Sequence, residues 1–116
     1  KVAQPGLPCL ALCGDGGILP QTAELATIVK YRIPVVIFLH NNMSYGTLEE
    51  AMRSRYGIDG SMSLENPDFV KLAASYGIPA ATADSLDQLR AIFRDLTWHE
   101  PFLIEFKDTV TTPPWT

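Results

Sequence analysis

A carboxylate set among glycines, Gly14-Asp15-Gly16-Gly17, and an amide pair, Asn41-Asn42, are the residues of this chain whose types and spacing could do chemistry. Each lies just after an apolar run, Leu7 to Cys13 before the first and Ile33 to Leu39, with His40 between, before the second. If both runs are parallel strands of one sheet, the two polar clusters lie at their carboxyl ends, where open α/β sheets bind ligands. A carboxylate and a side-chain amide brought together there are hard oxygen donors suited to Mg²⁺, which also takes phosphate oxygens. The glycines let the backbone approach a phosphate closely, and the helix that follows directs its first N–H groups at the same place. The pattern is that of a Mg²⁺-diphosphate site. Gly-Asp-Gly alone occurs in many turns. What carries the reading is the order strand, glycines, helix, strand, amides, with 24 residues between Gly16 and Asn41, room for one helix and a returning strand.

The elements that must position these residues alternate between strand-like and helix-like segments, the sign of a βαβ architecture. The short continuous run at 7–13 reads as a strand covered on both faces. A helix is predicted from about Leu19 to Tyr31, with Pro20 in its first turn and Leu25, Ile28 and Val29 at helical spacing. Pro34 opens the second buried strand, which runs to His40. A second helix starts near Tyr45 or Gly46 and carries Leu48, Ala51 and Met52, and residues 54–66 read as a long loop. Asn66 is predicted to cap a third helix with Pro67 at its first position, Phe69, Val70, Leu72 and Ala73 on its apolar face, and Gly77 closing it. Ile78 to Thr82 is a short strand. Ser85 caps the last helix, and Pro101 to Lys107 is the final strand. Residues 1–108 thus form one domain and 109–116 an extended tail.

Composition narrows the function classes. With 116 residues, 47% hydrophobic and 19% charged, the chain has the make-up of an ordinary globular domain. The net charge of −4 and the lack of any basic run argue against nucleic acid, which is bound through clustered Lys and Arg. No apolar stretch approaches the roughly 20 residues of a membrane span, and the first residues do not resemble a secretory signal. Cys9 and Cys13, four apart on one strand, would lie roughly 13 Å apart at about 3.3 Å per residue, too far for a disulfide. They read as buried reduced thiols, and the expected compartment is the cytoplasm.

The stretch Gly14-Asp15-Gly16-Gly17, followed by Asn41-Asn42-Met43-Ser44-Tyr45-Gly46-Thr47-Leu48, resembles the diphosphate-binding domain of thiamine-diphosphate-dependent enzymes. Asn66-Pro67-Asp68-Phe69 with Leu72-Ala73 and Tyr76-Gly77 is similar to a run of the acetolactate-synthase-like members, as is Pro101 to Phe106 to their last strand. The resemblance implies a three-layer α/β/α fold with a parallel sheet, here lacking its N-terminal part. It also implies that Asp15 and Asn42 give side-chain oxygens to Mg²⁺ and Ser44 its backbone carbonyl. Gly14, Gly16 and Gly17 would form the diphosphate cradle, Met43 and Tyr45 would wall it, and Leu48 would face the substrate. Glu49 stands where the group often has Arg.

No catalytic residue is expected on this chain, because the family's activating Glu belongs to a separate pyrimidine-binding domain, usually on a partner subunit. The implied cofactors are thiamine diphosphate and Mg²⁺, and any FAD site would lie on another domain. The implied substrates are 2-oxoacids, acted on by carboligation or decarboxylation, in a homo-oligomer, with the isolated chain inactive. Two other readings compete. A dinucleotide-binding domain needs glycines at x, x+2 and x+5; Gly14 and Gly16 fit, but position 19 is Leu. A non-catalytic assembly domain of the same fold has no physical need of oxygen donors at strand ends. Among the remaining polar residues, His40 reads as a strand-end residue and His99 as a surface one. Glu49 and Glu50, adjacent on a helix, point apart and cannot form a carboxylate dyad.

Overall fold

The computed structural model describes residues 1, 3–58 and 62–108; the tail at 109–116 lies outside them. Its elements are β1 (Leu10–Gly14), α1 (Asp15–Ile18), a 3₁₀ turn (Leu19–Gln21), α2 (Glu24–Lys30), β2 (Val36–Asn41), α3 (Gly46–Tyr56), α4 (Phe69–Ser75), β3 (Ala80–Ala83), α5 (Leu86–Asp95) and β4 (Phe102–Lys107). The four strands form one sheet in the order β1-β2-β4-β3, and every pairing is parallel. No helix among the described residues is long and apolar enough to cross a membrane.

Alternation along the strands decides which side chains meet. Ile37, Leu39 and Leu103 point to one face and pack with Ile18, Leu25, Phe69, Ala73 and Ile78. That face is therefore covered by the α1–α2 segment and by α4. Val36, Ile104 and Ala83, which the same alternation sends to the other face, are also buried. There α5 packs on β3, as a right-handed return from β3 to β4 requires. Helices on both faces of a parallel sheet make the expected α/β/α layering.

Several local expectations are corrected. The single helix predicted over 19–31 is two pieces, because Pro20 sits at the start of a 3₁₀ turn and the regular helix begins only at Glu24; Val29 faces solvent. α3 runs on to Tyr56, so residues 54–56 are helical, and it ends at Gly57, whose φ of 63° is the left-handed conformation that stops a helix cheaply. β1 is not covered on both faces. It is an edge strand among the described residues, with Leu10 and Leu12 exposed.

A further correction is at α4. Asn66 does not cap it and Pro67 is not helical; Asp68 is the cap, its carboxylate accepting from the Lys71 backbone N–H at 2.9 Å. That hydrogen bond, with the Lys71 ammonium, holds the Asp68 carboxyl below its ordinary range. The residue before a proline is disfavoured in helical conformation, so Asn66 is left outside and its side chain is free for another task. Gly77 does close α4, at a φ of 79°, and Ser85 does cap α5 by accepting from Gln88 N–H.

Candidate functional site

Parallel pairing of β1 with β2 puts Gly14 level with His40. Asp15, one residue past Gly14, and Asn42, two residues past His40, leave the sheet at the same edge. As expected, the two polar clusters stand side by side at the carboxyl ends of neighbouring strands. Around them is a cleft of about 210 Å³ lined by Gly14, Asp15, Gly16, Gly17, His40, Asn42, Ser44, Tyr45 and Leu48, among others. Of the residues assigned from the sequence, only Met43 stands apart. It lines a neighbouring cavity of about 620 Å³ with Asn41, Asn66, Asp84, Glu105 and Lys107.

Asp15 is 2% exposed and opens α1, where a carboxylate complements the helix's positive end. Its Oδ1 accepts from the Gly16 N–H at 2.9 Å and its Oδ2 from the Asn66 amide at 2.7 Å. Both partners are neutral, and no ion pair between described residues involves Asp15. A carboxylate with two oxygens has about four lone-pair positions, so each oxygen keeps one. A buried charge matched only by neutral donors is the electrostatic situation that a bound cation relieves.

The amide side is built by two successive Asx turns. Asn41 Oδ1 accepts from Met43 N–H at 3.1 Å, and Asn42 Oδ1 accepts from Ser44 N–H at 3.2 Å. They hold Met43 at a φ of 56°, a left-handed conformation that costs on the order of 1–3 kcal/mol for a non-glycine residue. The segment is also pinned from outside. Leu64 N–H donates to Met43 O at 2.7 Å and Tyr45 N–H to Met62 O at 3.0 Å, around an antiparallel bridge between Ser44 and Ser63. Ser44 Oγ donates to Glu49 at 2.9 Å, and Glu49 and Glu50 both pair with Arg53. The two glutamates therefore form a surface ion-pair cluster, as expected for neighbours that cannot act as a dyad.

Gly16 is needed for a steric reason. A Cβ there would lie 2.6 Å from Tyr45 Cδ1 and closer still to Cε1, so the tyrosine ring lies directly over the glycine backbone. His40 is half-buried on the cleft wall. The thiols are free, as expected; burial pushes the Cys13 thiol up, and its S–H donates to Phe38 O. No group of three or more His, Cys, Asp or Glu that could hold a metal occurs among the described residues. The donor set here is of another kind, one carboxylate with amide and carbonyl oxygens, which suits Mg²⁺.

Sequence reasoning missed the polar layer behind Asp15. Asn41 Nδ2 donates to Glu105 Oε1 at 2.7 Å, and Thr82 Oγ1 donates to Glu105 Oε2 at 2.9 Å. Asn66 Nδ2 donates to Asn41 Oδ1 at 2.8 Å as well as to Asp15. Two signals could have found it. Asn66 precedes a proline and is followed by a second cap-forming residue, and Glu105 interrupts an otherwise apolar strand.

The fold and this site define a parallel α/β domain whose oxygen donors and glycine backbone converge where two neighbouring strands end. Residues 1–106 match the family described as thiamine pyrophosphate enzyme, C-terminal TPP binding domain, and the chain belongs to that family. A probable acetolactate synthase large subunit of Methanocaldococcus jannaschii is 40% identical over 108 residues, 90% of this chain and 18% of that protein. The acetolactate synthase large subunit of Lactococcus lactis is 35% identical over 107 residues, 90% of this chain and 19% of that protein. Among solved structures, the thiamine diphosphate-dependent 4-hydroxybenzoylformate decarboxylase of Rhodococcus jostii RHA1 superposes with a TM-score of 0.81 at 29% identity, over 95% of this chain and 22% of that one. The chain thus spans about a fifth of the length of the relatives it matches.

Proposed function

We propose that this domain holds the diphosphate end of thiamine diphosphate through Mg²⁺, as one part of an enzyme acting on 2-oxoacids. The observation that carries the reading is Asp15, 2% exposed with only neutral hydrogen-bond partners, beside Asn42 at a glycine-floored cleft. Asp15 Oδ, Asn42 Oδ1 and the Ser44 carbonyl would ligate the metal. The Gly16 and Gly17 N–H groups would face the diphosphate, Tyr45 would shield it from water, and Leu48, exposed on the cleft wall, would face the substrate. The bound cofactor supplies a carbon nucleophile and an electron sink for breaking and making bonds at the 2-oxoacid carbonyl carbon. This chain's own residues would fix the diphosphate, through the metal whose charge offsets it and through the Gly16 and Gly17 N–H groups, and so would set where that carbon sits.

The relatives named above are synthases and a decarboxylase that share this domain, so the choice between carboligation and decarboxylation belongs to groups beyond it. The activating Glu would come from a pyrimidine-binding domain in the same oligomer. The bare β1 edge supports such a setting. A parallel strand is ordinarily covered on both faces, yet Leu12 is 72% exposed. Beside it, between β1 and α2, lies a cavity of about 520 Å³ lined by Leu12, Cys13, Leu25 and Ile28 among others.

Calorimetric titration of the intact enzyme with thiamine diphosphate, with Mg²⁺ and then with EDTA, tests the proposal. Metal-dependent binding that Asp15→Ala abolishes is the expected result. Unchanged metal-dependent binding in Asp15→Ala would refute the assignment.

A further inference from the structure

Behind the cleft, a hydrogen-bonded chain crosses the whole sheet. It starts at Thr82 on β3, passes to Glu105 on β4 and Asn41 on β2, then through Asn66 to Asp15 at the end of β1. We propose that Asn66 and Glu105 are positioning residues for Asp15, an inference that rests on Asp15 being a ligand of Mg²⁺.

The direction of every link follows from which groups can donate. Glu105 is 3% exposed, and as a carboxylate it only accepts. With Thr82 Oγ1 on one oxygen and Lys107 Nζ at 3.7 Å from the same oxygen, the other oxygen takes the Asn41 NH₂ at 2.7 Å. That turns the Asn41 carbonyl oxygen the opposite way, towards Met43 N–H and the Asn66 NH₂. Asn66 Nδ2 then stands between two acceptors, Asn41 Oδ1 at 2.8 Å and Asp15 Oδ2 at 2.7 Å. A flipped Asn66 amide would set an oxygen against both. The orientation of Asn66 is thereby dictated from β4, and it fixes which face of the Asp15 carboxylate is occupied and which stays open.

A purely structural role does not account for Glu105. Its neighbours in β4, Leu103 and Ile104, are fully buried, and an apolar side chain there would avoid the desolvation of a carboxylate. What a carboxylate does, and an apolar group cannot, is orient an amide. Hydrogen-bond partners of metal ligands set ligand orientation in this way, and losing one typically costs about 10–100-fold in metal affinity.

The test is Mn²⁺ binding, followed by electron paramagnetic resonance in the presence of thiamine diphosphate, on the intact enzyme. Asn66→Ala and Glu105→Ala should each raise the Mn²⁺ dissociation constant about 10–100-fold, and metal-free Asn66→Ala, which leaves the buried Asp15 and Asn41 oxygens short of a donor, should melt at a lower temperature but still cooperatively. Glu105→Gln, whose carbonyl can still accept from Asn41, should bind within about threefold of the parent. That variant and Asn66→Ala decide the matter should Glu105→Ala fail to fold. Parental Mn²⁺ affinity in Asn66→Ala, with affinity lost in Asp15→Ala, overturns the positioning role and leaves the metal assignment standing. Parental affinity in Asp15→Ala overturns the metal assignment and this inference with it.

Discussion

Gly16→Ala isolates the contact between Tyr45 and the glycine backbone. The new Cβ would sit 2.6 Å from Tyr45 Cδ1, and ordinary contact begins at 3.4 Å, so that atom must withdraw by about 0.8 Å and Cε1 by more. The backbone itself gains, because Ala is favoured over Gly in a helix by about 0.5–1 kcal/mol. Tyr45 is 42% exposed and has room to swing outward. Fold stability should therefore change little, with the melting temperature within a few degrees of the parent. The site is affected differently, since a misplacement of about 1 Å in a positioning group can cost up to about 100-fold. Calorimetry should show thiamine diphosphate affinity, with Mg²⁺ present, falling by about 10- to 100-fold. Tyr45→Ala provides the control: with the ring gone, adding Gly16→Ala should cost less than about threefold, a strongly non-additive pair. Equal losses from Gly16→Ala with and without Tyr45 would refute the steric argument and place the effect on the Gly16 backbone instead.

Leu48→Ala should change the ratio of kcat/KM between small and bulky 2-oxoacids by about 10-fold or more, as loss of apolar pocket wall does; an unchanged ratio would remove Leu48 from the substrate side. Phe69, 1% exposed at the centre of the core beneath α4, should cost about 3–5 kcal/mol when replaced by Ala, read by denaturant melts. Burial raises the Cys13 thiol above its ordinary value, so folding favours the neutral form. The contribution from Cys13 should be fully present below the unfolded thiol's pKa and lost as pH rises through the folded one. Cys13→Ala should flatten that part of the stability profile, and alkylation of native Cys13 should lag behind that of the unfolded chain at pH 8.

The sequence by itself determined the alternation of strands and helices, and the arrival of Gly14–Gly17 and Asn41–Asn42 just beyond two of the strands. Both are local matters, of period, of apolar run length and of the residue types that end a strand. It determined the caps wherever a single residue could serve, as Ser85 does for α5 and Gly77 does after α4. Where two cap formers compete within three residues, the local signal is ambiguous. Asn66 lost its assigned role to Asp68 because Pro67 excludes it from the helix, and only the folded chain shows what it does instead. The strand order β1-β2-β4-β3 is likewise a tertiary fact. It brings Glu105 within hydrogen-bond reach of Asn41, 64 residues earlier, and Asn66 within reach of Asp15, 51 residues earlier. It also leaves β1 at an edge, so that a run as apolar as a central strand ends up exposed. Local chemistry placed the oxygen donors at the ends of their strands; long-range pairing, which no periodicity records, decided what holds them still.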